Sequence, residues 1–195
     1  MTPKTTAQLK GIKEAREQQI LDTACRLFAN HGFHETSISQ IAREAGISKG
    51  LIYNYFDSKE SILRDLMKRG MDEMYKDFDP NHDGILTHDE FLFFISSYLD
   101  TLKENREFWK LYFAILIQPS VINLVQEEMM SMGIPVFSIL HKYFEDNHYE
   151  DPDTEFEFLA AILSGLAIKY INAPEFFHLD KLKEKIYKLY NPSQK

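Results

Sequence analysis

Apolar residues recur at helical spacing along nearly the whole chain, and no segment shows the apolar–polar alternation of a half-buried strand. Ile20, Ala24, Leu27 and Phe28 fall on one helix face, with Gly32 as a stop. Ser37 with Gln40 has capping-box spacing and opens a short helix to about Glu44; Ser48 can cap a second, reaching about Phe56. Asp57 with Glu60 caps a longer one running to about Phe78. After a polar stretch, helical patterns are predicted near 88–104, 106–118, 120–147, 152–172 and 179–190, broken at Asn105, Pro119, Pro152 and Pro174. The fold class is therefore all-α, with about nine helices.

Within that frame, 195 residues can bury enough surface to fold without disulfides, and the single Cys25 forbids an intramolecular one. That cysteine usage predicts a reducing, cytoplasmic home. The apolar run from Leu111 to Ile117 is too short to span a bilayer and the N-terminus is too polar for a signal peptide, so neither membrane insertion nor secretion is expected. Charge is unevenly spread. Residues 1–65 hold nine Lys/Arg against eight Asp/Glu, a net of +1, which leaves −9 for residues 66–195. Only the N-terminal part is suited to meeting a polyanion.

Residues 37–56 carry the strongest local signal. A helix-turn-helix needs a small residue where two helices touch, a Gly in the turn and apolar anchors on the second helix. Ala42, Gly46 and Ile52 occupy those places, and Ile38, Ile41 and Ile47 fill the underside. Lys49, Gly50, Tyr53, Asn54 and Tyr55 are left facing outward. Ser48, Lys49 and Gly50 begin the second helix, the part that enters a major groove in such motifs.

The run from Thr36 to Glu60, with Ile41-Ala42-Arg43-Glu44-Ala45-Gly46-Ile47-Ser48-Lys49-Gly50 at its centre and Tyr53-Asn54-Tyr55-Phe56 after it, resembles the DNA-binding domain of the tetracycline-repressor (TetR) family. The likeness extends from about Glu17 to Leu66. It implies a three-helix DNA-binding domain over 1–60 and a helical ligand-binding and dimerisation domain over 61–195. It also implies that Ser37 and Ser39 touch the DNA backbone or neighbouring bases. Lys49, Gly50, Leu51, Asn54 and Tyr55 would face the groove, and Tyr53 and Lys59 would clamp phosphates. Lys4, Lys10, Lys13 and Arg16 precede the resembling segment as a basic arm.

Asp79–Glu90 departs from that family's pattern. It fits D-x-[DN]-x-[DN]-G-x5-E without a gap, the spacing of an EF-hand calcium loop. Side chains of Asp79, Asn81 and Asp83, the carbonyl of Ile85, Thr87 directly or through water, and a bidentate Glu90 would supply the oxygens. Gly84 would permit the bend. Calcium is the expected ion and magnesium the second. Thr87 with Glu90 is also a helix capping box, and Asp-Gly is an ordinary turn former, so a metal-free turn explains part of the pattern. In the TetR family the fourth helix links the DNA-binding and regulatory parts. A cation here would fix the angle between that helix and the next.

Beyond residue 88 the chain is rich in aromatic and Met side chains. The resemblance places a small-molecule pocket among these helices, with Tyr98, Trp109, Tyr112, Phe113, Met129 and Phe137 as candidate lining, although each taken alone fits a hydrophobic core equally well. Phe158–Ile171 is apolar nearly all round and carries Ala160, Ala161, Ser164, Gly165 and Ile168, small or apolar residues that let helices approach closely. With 179–190 it resembles the family's two-helix dimer seam, which implies a homodimer on a near-palindromic duplex operator. No catalytic motif is present, so no enzyme is expected. The reading is a DNA-binding transcriptional regulator, a repressor tuned by a small molecule and binding calcium at 79–90. The competing reading is a calcium sensor or adaptor whose helix-turn-helix makes protein contacts.

Overall fold

The computed structural model describes residues 5–191, Thr6 by its backbone alone. Nine α-helices are present among them: α1 (Thr6–His31), α2 (Ile38–Glu44), α3 (Lys49–Ile52), α4 (Lys59–Tyr75), α5 (His88–Glu104), α6 (Arg106–Leu116), α7 (Pro119–Asp146), α8 (Pro152–Asn172) and α9 (Leu179–Leu189). A single 3-10 turn, Pro174–Phe176, precedes α9. The fold is all-α, as the periodicity dictates. No single helix among the described residues is long and apolar enough to cross a membrane.

Most boundaries are set by residues visible in the sequence. Thr87 and Glu90 close a capping box at the start of α5, and Asn105 ends it. Asp151 accepts the Thr154 N–H, and Pro152 follows at the first helical position of α8, where its missing N–H costs nothing. Three boundaries differ from expectation. α4 is capped by Ser58 and Ser61, each hydroxyl accepting the other's N–H, rather than by Asp57 with Glu60, and it ends at Tyr75 rather than near Phe78. α1 begins at Thr6, far upstream of its apolar stripe, because Thr5 and Gln8 form a complete capping box. Lys10, Lys13 and Arg16 therefore lie on a helix rather than in an arm before it, while Lys4 falls outside the described residues. α3 ends at Ile52, and Tyr53–Tyr55 continue as tighter turns, the Tyr55 N–H donating to the Ile52 carbonyl.

The chain divides into two compact units, Met1–Arg69 with Leu111–Gln126, and Gly70–Lys110 with Glu127–Lys195. The first has a core of Ile20, Ala24 and Phe28 from α1, Ile41 and Ile52 from the helix-turn-helix, and Ile62, Leu63 and Met67 from α4, all essentially inaccessible. The end of α6 and the start of α7 join it. The Tyr112 hydroxyl donates to the Met67 carbonyl (3.1 Å). Gln118 donates through Nε2 to the Phe28 and Ala114 carbonyls and accepts the Phe33 N–H on Oε1 (3.1 Å). That one amide ties the end of α1 to α6: it supplies the Phe33 N–H with an acceptor and adds a second donor to the Phe28 carbonyl, which already accepts the Gly32 N–H. Cys25 is buried in this core, its thiol pushed up to about 12 by burial, with the Asp22 carboxylate adding to the shift. It stays a protonated, inert packing group at neutral pH.

The second unit is built on aromatic packing. Phe91 stacks on Tyr143 at 4.6 Å and meets Phe144 and Tyr190 edge-on. Trp109 is fully buried, its Nε1–H donating to the Thr101 carbonyl (3.0 Å).

Replacing Gln118 by Ala removes the acceptor of a part-buried N–H and the donor to two carbonyls. Thermal denaturation should show a loss of about 1–3 kcal/mol, with roughly 2–4 °C of Tm for each kcal/mol at this size. An unchanged Tm would mean water replaces the amide at no cost.

Candidate functional site

The helix-turn-helix forms because its buried and exposed positions alternate as two short helices require. Ile41, Ala42, Ala45 and Ile52 are buried, and Ile38 and Ile47 are half-buried beside them. Gly46 holds φ +65° in the turn, a conformation that strains residues with a Cβ. From outside, the Gln19 side chain locks the turn by donating to the Ala45 carbonyl at 2.7 Å. Nothing in the sequence pattern marks Gln19 for that role.

This packing presents one polar face. Ser37, Ser39, Ser48, Lys49, Gly50, Tyr53 and Asn54 are exposed, and Leu51 and Tyr55 are half-buried. Ser37 and Ser48 also serve as N-caps, their hydroxyls accepting the Gln40 and Leu51 N–H groups. Their side chains are thus partly committed to the protein. The Lys49 ammonium lies 5.9 Å from the Tyr53 ring centroid, holding a cation and a phenol side by side. The face offers hydroxyls, an amide, a phenol and an ammonium with no carboxylate among the nine residues. That composition suits phosphate oxygens and base edges.

Lys59 is placed differently from the phosphate clamp that the family likeness implied. Its Nζ donates to the carbonyls of Phe33 (2.8 Å), His34 (3.1 Å) and Thr36 (2.8 Å), and sits 4.4 Å from the Phe33 ring centroid. An ammonium has three N–H donors, and all three are spent on the backbone between α1 and α2. The reason is local: that connection carries carbonyls with no helical partner, and Lys59 begins the helix passing beside it.

The loop over 79–90 winds into the register its sequence predicts. Gly84 takes φ +72° and His82 φ +57°. Asp79 Oδ2 accepts the Gly84 N–H (3.0 Å), Asn81 Oδ1 the Asp83 N–H (3.1 Å) and Asp83 Oδ1 the Ile85 N–H (2.8 Å). Asn81 Nδ2 bridges Asp83 Oδ2 (3.1 Å) and Glu90 Oε1 (3.2 Å). Leu86 is buried, whereas the Ile85 side chain is exposed. Positions 3, 5 and 12 are thereby drawn together, and position 1 is tied to the Gly84 backbone. They do not form a ready-made centre, however: among the described residues no group of three or more His, Cys, Asp or Glu is arranged to hold a metal ion. Glu90 gives Oε2 to the Thr87 N–H (2.9 Å) and hydroxyl (2.7 Å), and the Asn81 amide nitrogen, not its oxygen, faces the two carboxylates. One feature of a plain turn is missing: Asp79 Oδ1 is buried without a hydrogen-bond partner.

A small cavity of about 90 Å³, open to solvent, lies within the second unit, lined by Met74, Tyr75, Phe94, Tyr98, Val136, Leu140, Phe156, Leu159, Ala160, Leu163 and Ser164. Of the expected lining only Tyr98 is there, its hydroxyl donating to the Leu163 carbonyl (3.3 Å). Trp109 and Tyr112 are core residues with buried hydrogen bonds, because an indole N–H or phenol inside a core must find a carbonyl. Phe113 and Met129 are half-buried outside the lining, and Phe137 packs edge-on against Phe156 (4.9 Å). The expected dimer residues also separate. Ala160 and Ser164 line the cavity, while Ala161 and Gly165 line a groove beside Phe176–Leu182. Ile168 is exposed with Phe158, Phe176 and Leu189. A 3.6-residue period puts 160/164 and 161/165/168 on different faces of α8, which composition alone does not reveal.

Comparison with known proteins follows the same division. Residues 20–66 match the family of "Bacterial regulatory proteins, tetR family". An uncharacterized HTH-type transcriptional regulator, YfiR of Bacillus subtilis, is 36% identical over 105 residues, 54% of this chain and 48% of the relative. The chain thus spans about half the length of that curated relative. The biofilm operon icaADBC HTH-type negative transcriptional regulator IcaR of Staphylococcus epidermidis is 24% identical over 183 residues, 90% of this chain and 97% of the relative. Among solved structures, the transcriptional regulator FadR from Bacillus subtilis, in complex with stearoyl-CoA, has a TM-score of 0.67 at 21% identity and covers 88% of this chain and 96% of its own. The fold is TetR-like throughout, and the N-terminal segment carries that family's sequence.

The Lys59 geometry has a measurable consequence. Lys59→Ala leaves three carbonyls without their donor and should destabilise the protein by about 1–3 kcal/mol. Lys49→Ala, on the open surface, should leave Tm within the scatter of wild type. Equal Tm values for the two variants would contradict the assignment of Lys59 as a structural tie.

Proposed function

We propose that this chain is a transcriptional repressor of TetR type that binds duplex DNA as a homodimer and is tuned by a small molecule. One observation carries the reading: the segment with TetR-family sequence contains the helix-turn-helix that exposes Ser39, Lys49, Gly50, Tyr53 and Asn54 together. Lys49 and Tyr53 approach phosphates, and Asn54 and the open backbone at Gly50 approach base edges. The dimer is supported by exposed apolar side chains on and between α8 and α9: Phe158, Ile168, Phe176 and Leu189 are 43–77% exposed. Two copies related by a twofold axis read a near-palindrome.

The test is selection of duplexes from fragmented genomic DNA, followed by titration at several salt concentrations. Binding should favour a near-palindromic site and weaken steeply with salt. Lys49→Ala should lower affinity across sequences and reduce the log–log salt slope by about 1. Binding to no duplex, or salt-independent binding, would favour the adaptor reading.

We propose further that Asp79–Glu90 binds one calcium ion, with magnesium as the weaker ligand. What supports this is the convergence of Asp83 and Glu90 on one amide, together with the orphaned Asp79 oxygen. Buried oxygens without a donor are costly, and a cation would compensate several at once. Asp79, Asn81, Asp83 and Glu90 would ligate through side chains, Ile85 through its carbonyl, and Thr87 directly or through water. Calorimetric titration of chelator-treated protein should give one site per chain, lost in Asp79→Ala/Glu90→Ala. Absence of heat and an unshifted Tm would leave the loop as a capped turn.

A further inference from the structure

Resting on the reading of the first unit as a DNA reader, we propose that the turns of α1 before Gln19 make a second, sequence-independent contact with the same duplex. In it Lys10 and Lys13 meet phosphates flanking the base pairs that α3 reads.

The direction of these turns is fixed by bonds at both ends of α2. Before α2, the Thr36 hydroxyl donates to the Gly32 carbonyl (2.9 Å), just past the end of α1. After α2, the Ala45 carbonyl accepts the Gln19 amide (2.7 Å), from much earlier in α1. Arg16 holds that amide in turn, its Nη1 donating to Gln19 Oε1 (2.6 Å). α2 therefore runs back along α1, and the part of α1 before Gln19 projects past the turn from which α3 starts. At 1.5 Å per residue Lys13 stands about 9 Å and Lys10 about 14 Å beyond Gln19. α3, four residues long, spans only about 6 Å. The two lysines extend the contact beyond the reach of α3.

Their side of the helix is the one the contact needs. Lys13 precedes Ile20 by seven residues and Ala24 by eleven; Lys10 precedes Leu21 by eleven and Phe28 by eighteen. Those spacings return to one side of an α-helix. Ile20, Leu21, Ala24 and Phe28 are the buried residues through which α1 enters the core of the first unit. The side that is apolar against the helix-turn-helix core is thus cationic where it passes beyond it.

Residues 7–15 are all exposed, Leu9 and Ile12 included, yet they are wound from a complete capping box at Thr5 and Gln8. Turns that bury so little add little to folding. Their charge fits a polyanion: Lys10, Lys13 and Arg16 against Glu14 and Glu17 leave +1, in a chain that is otherwise acidic. Glu14 holds Lys10 at 3.8 Å, but an exposed ion pair of that length is weak, and a phosphate displaces it. Phosphate contacts of this kind position a protein on the duplex and carry no sequence information.

The experiment compares wild type, Lys10→Gln/Lys13→Gln and Glu14→Gln in binding the selected duplex at several salt concentrations, with a shuffled duplex as reference. Gln matches Lys in helix propensity, so circular dichroism should show unchanged helicity. Lys10→Gln/Lys13→Gln should lower the log–log salt slope by about 2 and weaken binding by roughly ten- to sixtyfold at 0.1 M salt. The preference for the selected over the shuffled duplex should stay as it is in wild type. Glu14→Gln, which frees Lys10, should tighten binding by about two- to fivefold. A wild-type slope in Lys10→Gln/Lys13→Gln, a changed preference, or weaker binding by Glu14→Gln would overturn the inference and leave the regulator reading standing. No duplex bound by wild type would overturn both.

Discussion

Everything presented by the first unit depends on one ammonium group. The connection between α1 and α2 turns too sharply for helical hydrogen bonding: the Phe33 carbonyl keeps only the Thr36 N–H (3.3 Å), and the carbonyls of His34 and Thr36 have no helical donor. Lys59 supplies all three donors from the first position of α4. Because α2 begins at the next turn and α3 is braced against α2, the same contact sets where the exposed residues of α3 stand. A neutral donor could not serve three acceptors, and an Arg fork has the wrong geometry for three converging carbonyls. A residue that looks like a DNA contact in the sequence is here a reason the DNA-facing surface has a fixed shape.

How far the sequence discloses the structure varies with the kind of signal. Helices bounded by Asn105, Pro119, Pro152 and Pro174 lie within a residue or two of where those breakers put them, since backbone chemistry at a boundary is local. α1 extends further because its early turns, Lys10-Gly11-Ile12-Lys13-Glu14, lack an apolar stripe and are held by a cap and an i,i+4 pair between Lys10 and Glu14 instead. The Thr5–Gln8 box was legible but easily passed over without a hydrophobic face to attach it to. α3 falls short of its pattern because Tyr53–Tyr55 pass into tighter turns. The helix-turn-helix core was fully legible, every anchor being set by spacing of three to six residues.

Cavity lining was the least legible feature. Trp109 and Tyr112 look in the sequence like candidate wall residues, and their place in the core depends on which carbonyl each polar atom meets. Trp109 reaches Thr101, eight residues away, and Tyr112 reaches Met67, forty-five away. Long-range pairings of that kind have no periodic trace. The loop over 79–90 stands between these cases: its winding follows from Gly84 and the Asx side chains, while the donors its oxygens have taken follow from the capping demand of α5.

The length of α1 bears on reach. Residues 7–15 are all exposed, so these turns are held by backbone bonds, the Thr5 cap and little else. They need no nucleation of their own, since they extend a helix already packed from Ile20 onward, and unwinding them costs little. Each residue that unwinds lengthens the path from about 1.5 Å to as much as about 3.5 Å. Unwinding all nine residues therefore carries residue 7 roughly 18 Å farther, Lys10 roughly 12 Å and Lys13 roughly 6 Å. The same two cations, Lys10 and Lys13, can act as a short rigid spur or as a longer tether, the balance being set by temperature and by the single hydrogen-bonded box at Thr5.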